Sequence, residues 1–323
     1  MEKPDTKFSP PWWLRNPHLQ TIWASKFSHR PEIQFEVERV ELPDGDFFDL
    51  AKSAKDTGPV VLLFHGLAGS INSAYARGAF SKLENAGYRP TLMHWRGCSG
   101  EPNRLVRSYH SGSSDDIQFV INLMRSRYPT EPLYAIGYSL GANALVKYLG
   151  EQGDQSPLRG ALAVCPPFVM SIGADKLNSG LAKGYQRHLL SEMTKHHEIK
   201  QQRYPALKMT TITRSIKQSF WAWDDAITAP VNGFKDVHDY YESCSCRSFL
   251  PGITIPTHIL YALDDPFFTK DVLPNASELP PSVKLEVQRY GGHVGFVFDK
   301  NTPSRDNWLD CWVIESLTQL PGS

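Results

Sequence analysis

The chain of 323 residues suits one large α/β domain with an insertion, or two ordinary domains. Lys plus Arg and Asp plus Glu both number 34, so no charge excess favours nucleic acid or another polyanion. Five cysteines form an odd set without framework spacing, which points to free thiols and a reducing, cytoplasmic setting.

Residues 1–30 carry aromatic anchors among prolines and predict an irregular arm wrapped over the body. Glu2, Asp5 and Pro10-Pro11 leave no apolar h-region for a secretory signal. No uncharged apolar run nears the ~18 residues of a membrane span, so no integral membrane segment is expected. Segments Phe35–Leu42 and Phe47–Ala51 flank Pro43-Asp44-Gly45-Asp46, an antiparallel hairpin signal. Pro59–Phe64 is continuously apolar, as in a strand buried on both faces of a parallel sheet. After His65-Gly66-Leu67-Ala68-Gly69-Ser70, a helix sets Tyr75, Ala79, Phe80, Leu83 and Ala86 on one face and stops at Gly87.

Pro90–Trp95 predicts the next strand, and Asp115–Arg127 repeats the helical spacing with Ile117, Val120, Ile121 and Met124. Leu133–Ile136 then reads as a strand and Ala142–Leu149 as a helix with Gly150 as its stop. Ala161–Cys165 is another apolar strand. From Phe168 to Leu250 the strand–helix rhythm breaks into a polar, helix-rich stretch, read as a helical cap inserted between two strands. Within it, Cys244-Ser245-Cys246 lacks the second ligand pair of a zinc site and is read as packing. Strands resume at Thr257–Leu263 and Lys284–Arg289, and a helix near Arg305–Leu317 closes the chain. Strands alternating with amphipathic helices predict a mostly parallel sheet flanked by helices.

Between the strand ending at Ile136 and the helix from Ala142 lies Gly137-Tyr138-Ser139-Leu140-Gly141, a G-x-S-x-G in strand–turn–helix context. Such an elbow lifts its Ser to the C-terminal edge of the sheet, and the glycines let backbones pass closely. The Leu140 backbone N–H would point at the same space, and that of Leu67, after a neighbouring strand, would be a second oxyanion donor. A Ser hydroxyl needs a base, and the base needs an orienting carboxylate. The order Ser, acid, His is met by Asp264-Asp265 after one strand and by Gly291-Gly292-His293 after the last. Asp264 is preferred as the acid because it directly follows its strand; Asp265, beside Pro266, is the alternative and is read as a turn cap. His65 is read as a loop-fixing hydrogen bonder. Arg96 has two readings, an ion pair shaping a turn or a pocket-lining residue. Phosphate-loop, dinucleotide and metal-ligand spacings are absent, so neither cofactor nor metal is implied.

The chain resembles the YheT-like (family-four abhydrolase) group of α/β-hydrolase-fold proteins. The resemblance spans nearly the whole chain, in Asn16-Pro-His-Leu-Gln20, Leu42-Pro-Asp-Gly-Asp46, His65-Gly-Leu-Ala-Gly-Ser70, His94-Trp-Arg-Gly-Cys-Ser-Gly-Glu-Pro-Asn-Arg104, Tyr109-His-Ser-Gly112, the elbow, Asp264-Asp-Pro-Phe267 and Gly291-Gly-His-Val-Gly-Phe296. It implies an α/β-hydrolase fold, in which the break in the strand–helix rhythm sets the core at 31–167 and 251–323 and the cap at 168–250. It also implies a carboxylic-ester hydrolase using Ser139, one of Asp264 or Asp265, and His293. The expected partner is a small ester or lipid-like substrate with a short- to medium-chain acyl group. An acyltransferase would use the same acyl-enzyme, and a non-catalytic ligand-binding module would keep only the pocket.

Overall fold

A computed structural model of the chain describes residues 8–298 and 307–322. Its frame is an eight-stranded sheet in the order β1-β2-β4-β3-β5-β6-β7-β8. The strands are β1 (Glu36–Glu41), β2 (Phe47–Lys52), β3 (Val60–Phe64), β4 (Arg89–Met93), β5 (Leu133–Tyr138), β6 (Gly160–Val164), β7 (Thr257–Ala262) and β8 (Val283–Gln288). The predicted hairpin β1–β2 is antiparallel, and β2 joins β4 antiparallel at the edge of an otherwise parallel sheet.

Strand alternation sends side chains into two cores. Val60, Leu62 and Phe64 of β3 join one core, while Val61 and Leu63 join the other. Helices α3 (Ser114–Arg127) and α4 (Leu140–Gln152) close the first face. Helices α2 (Ala74–Asn85) and α10 (Trp308–Thr318) close the second. Arg305, the expected start of the closing helix, lies outside the described residues. Each buried face is apolar because a parallel sheet packed on both sides leaves no solvent-facing positions.

Strand β3 lies between β4 and β5, so successive connections leave it in opposite directions. Such a switch point opens a crevice at the carboxyl ends of the strands. The loop after β3 and the elbow after β5 meet there.

Two local expectations are corrected. Gly150 does not stop α4, which continues to Gln152. A Cβ at Gly150 would lie 2.1 Å from the Phe249 carbonyl oxygen, so this glycine allows a close crossing of backbones; Gly153, at φ +52°, ends the helix. The N-terminal segment is not wholly irregular: α1 spans Pro17–Lys26. Asn16 caps it by accepting from the N–H groups of His18 and Leu19, and Pro17 occupies the first turn, where no N–H is needed.

Between β6 and β7 the chain is helical: α5 (Met170–Leu177), α6 (Lys183–Arg203), α7 (Phe220–Trp223), α8 (Ala229–Val231) and α9 (Val237–Cys244). A π-helical turn, Asp224–Thr228, joins α7 to α8. These elements share a third apolar cluster that includes Met170, Leu190, Trp223, Ile227 and Tyr240. Asn143 of α4 pins their base to the sheet layer, donating to the carbonyls of Ser111 and Cys244 and accepting from Cys246 N–H. All five cysteines are free thiols, and Cys244 and Cys246 are buried. No described helix is long and apolar enough to cross a membrane.

Candidate active site

Ser139 stands at the junction of β5 and α4 with φ +52° and ψ −116°, a conformation that costs a non-glycine residue about 1–3 kcal/mol. Packing enforces it. A Cβ at Gly141 would lie 2.3 Å from the Phe64 carbonyl oxygen, and one at Gly137 would lie 2.5 Å from the Gly141 carbonyl oxygen. Only glycines let α4 start this close to β3 and β5. The Ser139 N–H is anchored on the Val164 carbonyl at 2.8 Å, so the strained residue is held on the neighbouring strand.

His293 reaches this point from the loop after β8. Its Nε2 lies 2.8 Å from Ser139 Oγ, and its Nδ1 lies 2.7 Å from Asp265 Oδ2. A carboxylate can only accept, so Nδ1 carries the proton and Nε2 is left to accept from the Ser139 hydroxyl. The preference for Asp264 is thereby corrected. β7 ends at Ala262, and a turn closed by Asp265 N–H on the Ala262 carbonyl folds Asp265 back over the strand end. One Asp265 oxygen accepts from Phe267 N–H at 2.8 Å, the expected turn cap, and the other meets His293. Asp264, one residue earlier, points to the Gly292 N–H instead, at 2.9 Å. Its second oxygen is buried without a partner among the described residues, and burial pushes its pKa up to about 6.

The His293 loop rests on a support that the sequence reading did not assign. Thr21 Oγ accepts from His293 N–H at 2.9 Å, while Gln20 bonds both the N–H and the carbonyl of Val297. Both side chains belong to α1 and are buried despite being polar. The available signal was Asn16-Pro17, a helix start, followed by polar residues at 20 and 21. Phe267 stacks on the His293 ring, centroids 4.0 Å apart and planes 10° from parallel.

The loop after β3 brings Leu67 beside the elbow. A Cβ on Gly66 would lie 3.2 Å from Ser139 Cβ, so the two backbones nearly touch. Its neighbours are fixed: Gly66 N–H donates to Tyr75 OH, and Ala68 N–H donates to Tyr109 OH. Among the described residues, the Leu67 and Leu140 amides donate to no protein acceptor. Leu140 is the first residue of α4, where an amide is orphaned by helix geometry and sits at the positive end of the dipole.

His65 is fully buried, bonded through Nδ1 to the Gly66 carbonyl and through Nε2 to Trp95 N–H. Burial pushes its pKa down to about 3, so it stays neutral and shapes the loop. Arg96 makes the ion pairs of its first reading, with Asp116, Asp44 and Asp46. With Gly69, Ser70 and the loop through Gly100 it lines a cavity that Ser139 does not line.

Among the described residues, Cys165, Asp265 and His293 form a group with donor atoms within 4.8 Å of one another. Burial raises the Cys165 thiol well above its ordinary pKa, keeping it protonated and a poor metal ligand. The facing atoms of the other two are engaged with each other.

Over Ser139 lies a cavity of about 120 Å³, walled by Leu67, Leu140, Met170, Ala174, Phe267 and Tyr241 among others. Asp224, in the π-helical turn, is part of that wall and accepts from Thr228 Oγ and Tyr241 OH at 2.6 and 2.8 Å. Burial pushes its pKa up to about 6.

The family model described as the alpha/beta hydrolase fold matches residues 59–300. The Escherichia coli (strain K12) protein YheT, named as a candidate esterase, is 37% identical over 300 residues, 90% of this chain and 87% of that protein. The Bos taurus protein named phospholipase ABHD3 is 29% identical over 318 residues, 94% of this chain and 76% of that one. A solved structure of the Pyrococcus furiosus esterase Pf2001 superposes with a TM-score of 0.60 at 14% identity, covering 92% of this chain and 98% of that chain.

Proposed function

The chain belongs to the alpha/beta hydrolase fold family, as a YheT-like hydrolase of esterase and lipase type, and on that premise we propose that it cleaves carboxylic esters through an acyl-enzyme on Ser139. The observation that carries this reading is the unbroken chain of contacts from Ser139 Oγ through the His293 ring to Asp265, at 2.8 and 2.7 Å.

In this reading Ser139 Oγ attacks the ester carbonyl as Nε2 of His293 takes its proton. Asp265 holds the ring in the Nδ1–H tautomer and stabilises the imidazolium. The Leu67 and Leu140 amides receive the oxyanion, each worth about 3–4 kcal/mol at the transition state if typical of such donors. His293 then protonates the leaving oxygen. The alcohol departs, water enters, and the same base activates it to release the acid. The strain at Ser139 keeps the hydroxyl exposed at the sheet edge in the pose that attack requires.

The substrate is an ester or a lipid-like ester, with a short- to medium-chain acyl group. A fluorophosphonate probe followed by peptide mass analysis should place one adduct on Ser139, and Ser139→Ala should abolish both the adduct and p-nitrophenyl butyrate hydrolysis. An adduct elsewhere, or native turnover in the folded Ser139→Ala protein, would refute the assignment.

A further inference from the structure

The run Asn16-Pro17-His18-Leu19-Gln20-Thr21 at the start of α1 takes no part in the steps assigned to Ser139, His293 and Asp265. Neither Gln20 nor Thr21 lines the cavity over Ser139. Both are nevertheless buried polar side chains whose hydrogen bonds go to the loop after β8. That loop is strained. Val294, Phe296 and Phe298 hold φ at +52°, +46° and +54°, and for a β-branched valine this is an outlier. Such a conformation persists only where its surroundings over-determine it.

Those surroundings are supplied by α1. Gln20 Oε1 accepts from Val297 N–H at 2.9 Å, and its Nε2 donates to the carbonyls of Val297 and Leu14 at 3.2 and 3.0 Å. One side chain thereby satisfies both backbone groups of a residue in the strained run. Thr21 has its polarity set from below. Its single hydrogen goes to the Pro17 carbonyl at 2.8 Å, so its oxygen meets His293 N–H as an acceptor, at 2.9 Å. A Cβ at Gly292 would lie 2.6 Å from the Pro17 carbonyl oxygen, so helix and loop are in backbone contact. The same helix reaches the His293 ring by a second route. His18 Nδ1 lies 3.1 Å from Tyr185 OH, the Tyr185 ring packs on Phe267 with centroids 5.0 Å apart, and Phe267 stacks on His293. His293 is thus held at its backbone and on its ring face by contacts that both lead back to α1.

Resting on the serine-hydrolase reading, we propose that α1 is a clamp that sets the general base, with Thr21 and Gln20 as positioning residues for His293. Neither touches a reacting atom; their effect runs through the backbone of the loop. Without the Thr21 oxygen, the buried His293 N–H loses its acceptor, and the strained run relaxes away from the elbow. A misplacement of about 1 Å can lower a rate on the order of 100-fold. The loss falls hardest on protonation of the leaving oxygen, because that step needs Nε2 within hydrogen-bond reach.

The test measures kcat, KM and Tm of the full chain on p-nitrophenyl butyrate and ethyl butyrate. Nitrophenolate departs without a proton, whereas ethoxide must receive one from His293. The ratio of kcat/KM for the two esters therefore reports the placement of the base, and it does not depend on the fraction of protein folded. Thr21→Val keeps the shape and removes the oxygen. It should lower kcat on ethyl butyrate roughly 30- to 100-fold, hold KM within about threefold, and widen the nitrophenyl-to-ethyl ratio at least about fivefold. Thr21→Ser, which restores the oxygen, should stay within about threefold of wild type on every measure. Gln20→Met, of similar length but without the three bonds, repeats the test if Thr21→Val does not melt cooperatively. A lowered Tm with kcat and the ester ratio unchanged would overturn the proposal, leaving α1 only a structural support. Equal losses in Thr21→Ser and Thr21→Val would overturn it too. If wild-type Ser139 neither takes the fluorophosphonate nor turns over, the serine-hydrolase reading falls and this one with it. A labelled, active wild type beside an insensitive Thr21→Val sinks the clamp alone.

Discussion

Replacing Asp265 by Asn tests the orientation of the proposed base most directly. Asp265 Oδ1 accepts from Phe267 N–H at 2.8 Å and Oδ2 meets His293 Nδ1 at 2.7 Å. An Asn there has one carbonyl oxygen and one NH₂ group. The Phe267 N–H, a donor only, claims the oxygen, which leaves the NH₂ facing His293 Nδ1. The ring must then accept at Nδ1 and carry its proton on Nε2, the tautomer that cannot take a proton from Ser139. The Asp-to-Asn exchange in a serine protease triad lowers kcat about 10⁴-fold, equivalent to about 5 kcal/mol of lost transition-state stabilisation. We expect a loss of that order for Asp265→Asn. Asp264→Asn is the internal control. Its oxygen can still accept from Gly292 N–H, and its NH₂ replaces an oxygen that has no partner among the described residues, so kcat should change less than about fivefold. Steady-state kinetics on p-nitrophenyl butyrate, with circular-dichroism melts to confirm folding, measures both. An Asp264→Asn loss exceeding that of Asp265→Asn would refute the reasoning.

Ser139→Ala should lose hydrolysis by several orders of magnitude with Tm unchanged or raised, because the side chain supplies chemistry rather than packing; a melting temperature many degrees lower would count against this. Gly141→Ala should cost several kcal/mol or prevent folding, since its Cβ would meet the Phe64 carbonyl oxygen at 2.3 Å. Gly184→Ala, on α6 with none of the described residues within 4 Å of its Cβ, should be neutral or stabilise by up to about 1 kcal/mol in urea titrations. Asp264 also predicts a pH dependence. Its folded pKa, about 6, lies above the ordinary carboxylate value, so the native state holds a proton that the unfolded chain releases between about pH 4 and 6. Its contribution to stability is therefore fully present below that window and is lost as pH rises through it, by about 3 kcal/mol at most. Asp264→Asn should be more stable than wild type at pH 7 but not at pH 4, and equal offsets at the two pH values would count against the buried-proton account.

The local pattern around Ser139 determined a great deal. Gly137 and Gly141, between an apolar strand and a helix, already implied two close backbone crossings, because glycine alone removes the Cβ that would block them. The continuously apolar runs Pro59–Phe64 and Leu133–Ile136 implied strands buried on both faces of a sheet, since neither run holds a polar position for solvent. Tertiary structure decided the matters that depend on a turn of one residue or on contacts far along the chain. Asp264 and Asp265 are chemically identical neighbours, and only the fold-back after Ala262 assigns one to His293 and the other to Gly292. Gly150 reads as a helix stop until Phe249, 99 residues later, is found against it. Gln20 and Thr21 read as ordinary polar residues of an arm until the His293 loop, more than 270 residues away, docks on them. The cavity over Ser139 and the one lined by Arg96 arise in the same way: each is bounded by side chains from both the sheet layer and the helices after β6, so its volume exists only once those distant segments have packed.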